Sequence, residues 1–232
     1  MKTIVLEREE LIRTAAGEIR ALVEAKPDAV LALAAGRTME PLFAELVRLY
    51  EQGRLSLRAC RVFAVTELED VPEQRSCRAM LERCLISRTD LSPDKCSFLT
   101  AESLDGYDAA IAAAGGLDLA LLGLGDNAHI GYNEPATPFS SLSHRQKLTD
   151  ATRRQLAPTF GGEEQAPRFA LTMGIKTLTQ ARRIMVLALG EEKAEPAFKM
   201  LYARTDSAVP AAFLQVPGEV EVYLDPAAAA KL

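Results

Sequence analysis

The sequence lacks the features that define several large classes of protein. No stretch approaches the ~20 consecutive apolar residues of a membrane span. The N-terminal segment becomes charged within its first seven residues and has no apolar run of signal-peptide length. Four residues are cysteine, with no C-x-x-C pair and no histidine at zinc-ligand spacing. We therefore expect a cytoplasmic protein with reduced thiols, without a membrane segment, a disulfide framework or a zinc site.

The chain also lacks an excess of basic residues. Lysine and arginine number 27 against 32 aspartates and glutamates, a formal net charge of −5. Nucleic-acid-binding surfaces usually carry clustered Lys and Arg, so we expect no nucleic-acid partner. A local basic pocket stays compatible with this total, because net charge does not describe a single site.

No internal repeat, low-complexity tract or linker divides the 232 residues, so we expect one domain over residues 1–232. Predicted strands are residues 29–34, 60–65, 117–123, 183–190 and 219–224. Predicted helices are residues 7–25, 38–52, 73–85, 107–114 and 191–202. This alternation predicts an α/β fold, an open and mostly parallel sheet with helices on both faces. Residues 128–167 break the rhythm, and we expect a substrate-covering segment with some short helices there.

Ligands of open parallel sheets bind outside the carboxyl ends of the strands. Three loops follow predicted strands in this way, at residues 34–38, 65–67 and 123–135. If the three strands are neighbours, these loops meet at one crevice.

The third loop reads GLGDNAHIGYNEP from Gly123 to Pro135. Its first residues fit the G-x-G-x-x-A dinucleotide fingerprint, but Gly131 and Pro135 oppose the helix which that fingerprint requires. We expect Gly125 instead to allow a close approach of the backbone to a ligand.

His129 stands in the same loop beside Asn127, Asn133 and Glu134. A neutral imidazole with a pKa near ~6.5 can move protons at physiological pH, and a nearby carboxylate would orient it. The alternative is a structural histidine. His144 has no such neighbourhood, and we expect it at the surface.

Two further loops suit a phosphate. Gly36, Arg37 and Thr38 open a predicted helix, where backbone N–H groups, a Thr38 cap and the Arg37 guanidinium would favour an anion. The alternative is an ordinary helix start with a solvated arginine. Lys193 stands in the first turn of a predicted helix, where it opposes the helix dipole, so it is either a ligand-binding or a solvated lysine. A Walker loop is absent.

Together these motifs resemble the glucosamine-6-phosphate deaminase family, also called glucosamine-6-phosphate isomerase, and more distantly the 6-phosphogluconolactonases. The resemblance covers most of the chain and is strongest over residues 117–225, in LDLALLGLGDNAHIGYNEP, the Thr152-Arg153 pair, PRFALTMGIKTL and VLALGEEKA. The block N-x-H-I-G-[FY]-N-E-P is specific to the deaminases. The resemblance implies a modified Rossmann-like topology. It also implies conversion of an amino-sugar 6-phosphate to a ketohexose 6-phosphate and ammonia, without metal or redox cofactor.

The resemblance also implies roles for single residues. His129 would help to open the sugar ring, Glu134 would support it, and position 127 is aspartate or asparagine in the family. Lys193 would bind the phosphate together with the loop of residues 36–38. The candidate catalytic residues are His129, Glu134, Asn127 and Glu67. The candidate substrate-binding residues are Gly36, Arg37, Thr38, Thr66, Gly125, Ala128 and Lys193.

The chain departs from the family pattern at the end of the second predicted strand. Thr66 stands where the family has the aspartate that takes the proton from C2 of the sugar, and threonine is no base at neutral pH. Glu67 is the nearest replacement, although neighbouring residues of an extended chain point in opposite directions. Glu69 and Asp70 are further candidates.

Two other departures concern the phosphate. Arg37 replaces a glycine of the family's G-G-[ST]-P loop. A phosphate-binding arginine expected near Ala157 and Pro158 is missing, and we hypothesise that Arg37 compensates for it.

Three functions stay open. The first is a deaminase acting on glucosamine 6-phosphate or a stereoisomer such as galactosamine 6-phosphate. The second is a lactonase, whose chemistry needs no C2 base, so that Thr66 would be harmless. The third is a sugar-phosphate-binding regulator that has lost catalysis. In each case we expect a small-molecule sugar phosphate as partner, and the sequence is compatible with a homo-oligomer.

Overall fold

The computed structural model describes all residues 1–232, and strands and helices alternate along most of the chain. The strands are β1 (Lys2–Val5), β2 (Val30–Leu33), β3 (Arg61–Ala64), β4 (Thr66–Leu68), β5 (Cys96–Ser97), β6 (Leu119–Gly123), β7 (His144–Lys147), β8 (Phe169–Thr172), β9 (Arg183–Ala188) and β10 (Val220–Leu224). The α-helices are α1 (Arg8–Ala25), α2 (Glu40–Glu51), α3 (Cys77–Cys84), α4 (Leu104–Ala113), α5 (Asp150–Phe160), α6 (Ile175–Thr179) and α7 (Ala194–Tyr202). None of the helices combines the length and the apolar composition that crossing a membrane requires.

Seven strands form one sheet in the order β1-β10-β9-β6-β2-β3-β5, and every pairing in it is parallel. The five strands predicted from sequence are β2, β3, β6, β9 and β10, which make the centre of this sheet. The edge strand β1 was not predicted, because three of its four residues are exposed and give no apolar pattern.

Side chains of the central strands alternate between two apolar layers. Leu31 and Leu33 pack with α1, α2 and α3 on one face, whereas Val30 and Ala32 pack with α4, α6 and α7 on the other. This two-residue period is the geometry of an extended strand. The predicted α/β class, an open and mostly parallel sheet covered on both faces, is confirmed.

A second, three-stranded antiparallel sheet in the order β4-β8-β7 lies beside the first. The chain passes from β3 into β4 through Val65 alone. The Val65 N–H donates to the Leu33 carbonyl at 3.1 Å, and its carbonyl accepts from the Met173 N–H at 2.8 Å. Thr66 therefore lies where the two sheets meet.

Residues 128–167, predicted to be largely irregular, contain more regular structure than their sequence indicates. They include β7 and the eleven-residue helix α5. Pro158 inside α5 hides the helix, because proline normally ends or kinks one. We expected some short helices here, and α5 is longer than that expectation.

The predicted convergence of three loops is confirmed. β2 pairs with β3 on one side and with β6 on the other, and β9 is the next neighbour of β6. The carboxyl ends of these four parallel strands lie side by side, at the edge of the sheet where ligands of such folds bind.

Candidate active site

A cavity of about 790 Å³ opens at the carboxyl ends of β2, β3, β6 and β9, and residues of α3 and α5 also line it. This volume falls in the range of small-molecule binding sites. Of the predicted substrate-binding residues, all except Ala128 line it.

His129 lines this cavity and is 6% exposed. Its imidazole lies flat against the backbone of Gly125, because a Cβ atom at position 125 would come within 2.4 Å of the ring. Gly125 therefore makes room for the histidine itself, which is a different use of the glycine from the ligand approach that the sequence suggested.

Asn127 fixes the tautomer of His129. The His129 backbone N–H, which can only donate, is 3.2 Å from Asn127 Oδ1, and Asn127 Nδ2 donates to Glu134 Oε2 at 2.6 Å. A flipped amide would place donor against donor and acceptor against acceptor. Asn127 Oδ1, 2.8 Å from His129 Nδ1, therefore accepts a hydrogen bond from Nδ1–H of the ring. The neutral ring carries its hydrogen on Nδ1, and Nε2 is free to act as a base.

Glu134 is 1% exposed and supports the histidine through Asn127. Its Oε2 atom accepts from Asn127 Nδ2 and from the Thr149 hydroxyl at 3.2 Å, and its Oε1 accepts from the Thr149 N–H at 3.0 Å. The gap between Glu134 Oε2 and His129 Nδ1 is 3.9 Å, too long for a hydrogen bond. Glu134 and Asn127 lie behind the histidine, outside the cavity lining.

Burial lowers the pKa of His129, and the nearby charge of Lys193 lowers it further. The carboxylates of Glu134 and Asp126 act in the opposite direction without cancelling the effect of burial. The ring is therefore neutral at physiological pH, which is the state of a base.

The loop after β2 differs in detail from its prediction. Residues Arg37–Met39 form a single 3₁₀ turn, α2 begins only at Glu40, and no side chain caps either element. The predicted Thr38 cap is therefore wrong. Gly36, Arg37 and Thr38 nevertheless all line the cavity.

Lys193 is 5% exposed and pairs with Asp126, the residue two positions before Ala128 in the histidine loop. It lines the cavity from the turn after β9, so it is a buried cation and not the solvated lysine of the alternative interpretation. The cavity has no guanidinium at Pro158, but several arginines line it. They are Arg8, Arg37, Arg75, Arg83 and Arg154, and none of them pairs with a carboxylate of the protein.

The three acids proposed as replacements for the missing base do not reach the cavity. Thr66 and Leu68 line it, so Glu67 between them points away, as alternation along β4 requires. Its carboxylate accepts from the backbone N–H groups of Cys77 and Arg78 at the start of α3. We correct the expectation of a catalytic Glu67 accordingly.

Glu69 and Asp70 follow β4 and are excluded because neither reaches the cavity. Glu69 forms an ion pair with Arg145 at 2.7 Å, and Asp70 is exposed in the turn after β4. Neither residue lines the cavity. The neighbour of Thr66 is Cys77, whose Sγ lies 3.5 Å from Thr66 Oγ1. Burial raises the pKa of the Cys77 thiol to about 12, so it stays protonated.

Ala128 is the one predicted substrate-binding residue that the structure removes from the cavity. It is fully buried at a positive φ of 62°, its N–H donates to Gly125, and its carbonyl accepts from Ala211. Its backbone has no free group for a ligand, so that prediction is corrected.

The sequence analysis gave no site role to Thr149 or to Thr152, which lie beside His129, although Thr152 belongs to one of the motifs that carry the resemblance. Thr149 contacts Glu134, and Thr152 Oγ1 lies 3.2 Å from His129 Nδ1. Thr149 is the N-cap of α5, and Thr152 lies three residues later in its first turn. A threonine before a helix is an N-cap signal that was available in the sequence.

The fold and the cavity define a doubly wound α/β protein in which a buried neutral histidine and a buried lysine line one cavity at the carboxyl edge of the sheet. The family model described as glucosamine-6-phosphate isomerases/6-phosphogluconolactonase matches residues 7–223, and the chain belongs to this family.

Relatives and solved structures agree with this assignment. The glucosamine-6-phosphate deaminase of Bacillus velezensis is 39% identical, with 95% of each chain covered. That of Hahella chejuensis is 36% identical, with 100% of this chain and 92% of the relative covered. The structure of a monomeric glucosamine-6-phosphate deaminase is 31% identical, with a TM-score of 0.96 over the whole of both chains. The 6-phosphogluconolactonase of Trypanosoma brucei is 22% identical with a TM-score of 0.78, which shows a shared fold.

Proposed function

We propose that the protein converts a hexosamine 6-phosphate to a ketohexose 6-phosphate with release of ammonia. The relatives at 39% and 36% identity are glucosamine-6-phosphate deaminases, and their similarity extends over nearly the whole chain. The observation that carries the proposal is the free Nε2 of His129, which makes no hydrogen bond to the protein. The ring lines the cavity, and Asn127 holds its Nδ1 edge.

His129 opens the sugar ring in this proposal. Nε2 takes the proton of the anomeric hydroxyl and returns it to the ring oxygen, which leaves the open-chain aldose. Nδ1–H keeps its bond to Asn127 during both transfers, and Glu134 holds Asn127 in place. A general acid–base group of this kind contributes ~10²–10⁴ in rate.

Lys193 and the loop of residues 36–38 bind the phosphate. Lys193 is a buried cation, and its partner Asp126 is exposed. A phosphate can therefore contact the Lys193 ammonium beside the Asp126 carboxylate. Arg37 adds a guanidinium from the loop after β2, which compensates for the arginine missing near Ala157 and Pro158.

The transfer of the C2 proton has no carboxylate base at position 66, and Glu67 does not supply one. We expect slow turnover for this reason. The proposed reaction calls for no metal or redox cofactor, and residues 1–232 act as one domain. The cytoplasmic location and a homo-oligomer stay predictions.

Lactone hydrolysis is a second candidate. It is favoured by the uncharged Thr66 in the cavity lining, because this reaction needs an activated water and no C2 base. The test measures ammonia release from glucosamine and galactosamine 6-phosphates beside hydrolysis of a sugar lactone 6-phosphate. Ammonia release supports the proposal. Lactone hydrolysis alone supports the second candidate. Binding of both phosphates without turnover would contradict the two enzymatic functions and indicate a regulator.

A further inference from the structure

Thr149 and Thr152, at the start of α5, both turn their hydroxyl groups toward the histidine cluster. Thr149 is the N-cap of α5 and accepts from the Thr152 N–H at 3.3 Å. The two hydroxyl oxygens are 3.3 Å apart. An ordinary N-cap needs only the hydrogen bond from the Thr152 N–H to Thr149. The contacts of the two hydroxyl groups with the residues around His129 therefore call for another explanation.

Thr149 holds a buried carboxylate that has no lysine or arginine beside it. It gives Glu134 two hydrogen bonds, one from its N–H at 3.0 Å and one from its hydroxyl at 3.2 Å. A buried charge is costly unless it is hydrogen-bonded, and the N-terminus of a helix stabilises a negative charge. The start of α5 therefore fixes Glu134, which in turn fixes the amide of Asn127.

Thr152 contacts the ring directly. It is 2% exposed, and its Oγ1 lies 3.2 Å from His129 Nδ1, the nitrogen that carries the hydrogen. Apart from Asn127 Oδ1, it is the only group of the protein that hydrogen-bonds to the ring. A hydroxyl oxygen accepts from Nδ1–H whether the ring is neutral or protonated, so this contact persists when Nε2 takes a proton.

We propose that Thr149 and Thr152 are positioning residues for the proton transfer at His129. Thr149 acts through Glu134 and Asn127, and Thr152 acts on the Nδ1 edge of the ring. Together they keep Nδ1 protonated and Nε2 turned toward the substrate. The statement that Nε2 transfers the proton of the sugar rests on the proposed function. The statement that the two threonines hold the Nδ1–H tautomer of His129 does not.

The tautomer can be measured without substrate. The chain has only two histidines, so nitrogen-15 NMR of histidine-labelled protein gives two pairs of imidazole signals, one pair for each ring, and His144→Gln assigns them. We expect the Nδ1–H form of His129 in the wild-type protein at pH 7.5. We expect Thr152→Val to admit a minor fraction of the Nε2–H form, because Asn127 Oδ1 then holds the Nδ1 edge alone, and Thr152→Ser to restore the wild-type signal.

Kinetics supply the second measurement. Thr149→Val and Thr152→Val each remove a hydroxyl while keeping a β-branched side chain. Both are made in a Thr66→Asp background, so that transfer of the C2 proton no longer limits turnover, and we expect each to lower kcat about tenfold. KM should change by less than about twofold. Thr149 lies outside the cavity, and the hydroxyl of Thr152, which lines the cavity, contacts the Nδ1 edge of the ring, so both changes affect the transition state more than substrate binding. Thr177→Val is the matched control, because Thr177 is 5% exposed, bonds Asp108 and lies outside the cavity. It should leave kcat unchanged.

The outcomes separate the two proposals. A wild-type His129 in the Nε2–H form overturns the positioning role even if the Val variants fail to fold. Equal losses of kcat in Thr177→Val and Thr152→Val would also overturn it. If the wild-type protein releases no ammonia, the proposed function fails, and the NMR signals still decide the positioning role.

Discussion

The two sides of the cavity hold their polar groups in opposite ways. On the ring-opening side, which comprises His129, Asn127, Glu134, Thr149 and Thr152, every side chain is bonded to another member of the set. On the Thr66 side, a hydroxyl meets only the thiol of Cys77. The nearest carboxylate there, Glu67, is turned away to the start of α3.

This difference shows that the two proton transfers of the proposed reaction depend on separate parts of the structure. Ring opening needs a base whose pKa and orientation are controlled, and burial and Asn127 supply both for His129. Transfer of the C2 proton needs a base near Thr66, where both ordinary candidates are unsuitable, because the hydroxyl is not a base and the Cys77 thiol has a pKa of about 12. Substitutions on each side should therefore have separable effects.

Replacing His129 should have the largest effect. His129→Gln keeps a polar side chain but removes the only group of the ring-opening side that can exchange a proton near neutrality. Ring opening should then become the slow step and lower kcat by up to about a thousandfold. Ammonia release measured against sugar phosphate concentration gives kcat and KM. His144→Gln is the control, because His144 lies in β7 outside the cavity, and it should retain wild-type kcat. Equal activities of the two variants would remove His129 from the mechanism.

Restoring a carboxylate on the other side should have the next largest effect. Thr66→Asp places a base at the cavity wall where the family has one, and kcat for ammonia release should rise about a hundredfold. Thr66→Asn is the matched control, since it has the same shape without a basic oxygen. If the two variants turn over at the same rate, the base for C2 lies elsewhere and the contrast between the two sides is wrong.

The sequence predicted the centre of the sheet well, because β2, β6 and β9 are continuous apolar runs buried on both faces. It predicted which loops meet, since parallel strands align their carboxyl ends. It did not predict β4, a three-residue strand formed by pairing with the distant β8. Strands of this length are specified by their partners and not by local pattern.

Within the site, residue types were easier to predict than their surroundings. His129 and Lys193 stand out as chemically capable residues after strands, and both line the cavity. The direction of Glu67 depends on the phase of β4 and on free N–H groups at the start of α3, which lies ten residues further along the chain. The burial of Ala128 depends on its contact with Ala211. Such long-range contacts have no local signature.

A smaller effect should follow from removing a cation of the proposed phosphate site, because both proton transfers use the same bound phosphate. Arg37→Ala deletes a guanidinium without an internal partner, and KM for hexosamine 6-phosphates should rise about tenfold with kcat unchanged. Arg54→Ala removes an exposed arginine outside the cavity and is the control. Unchanged affinity in Arg37→Ala would reject the hypothesis that Arg37 compensates for the missing arginine.

The smallest effect concerns stability. Because burial lowers the pKa of folded His129 below the ~6.5 of an unfolded histidine, the unfolded chain binds a proton first as pH falls. This residue therefore contributes a loss of stability below pH ~6.5, with a slope of at most ~1.4 kcal/mol per pH unit, down to its folded pKa. Urea unfolding at pH 7.5 and 5.5 should show a smaller loss for His129→Gln than for wild type. An identical loss in wild type and His129→Gln would mean that His129 titrates normally in the folded protein, and the ring-opening side would then lack the controlled base that distinguishes it from the Thr66 side.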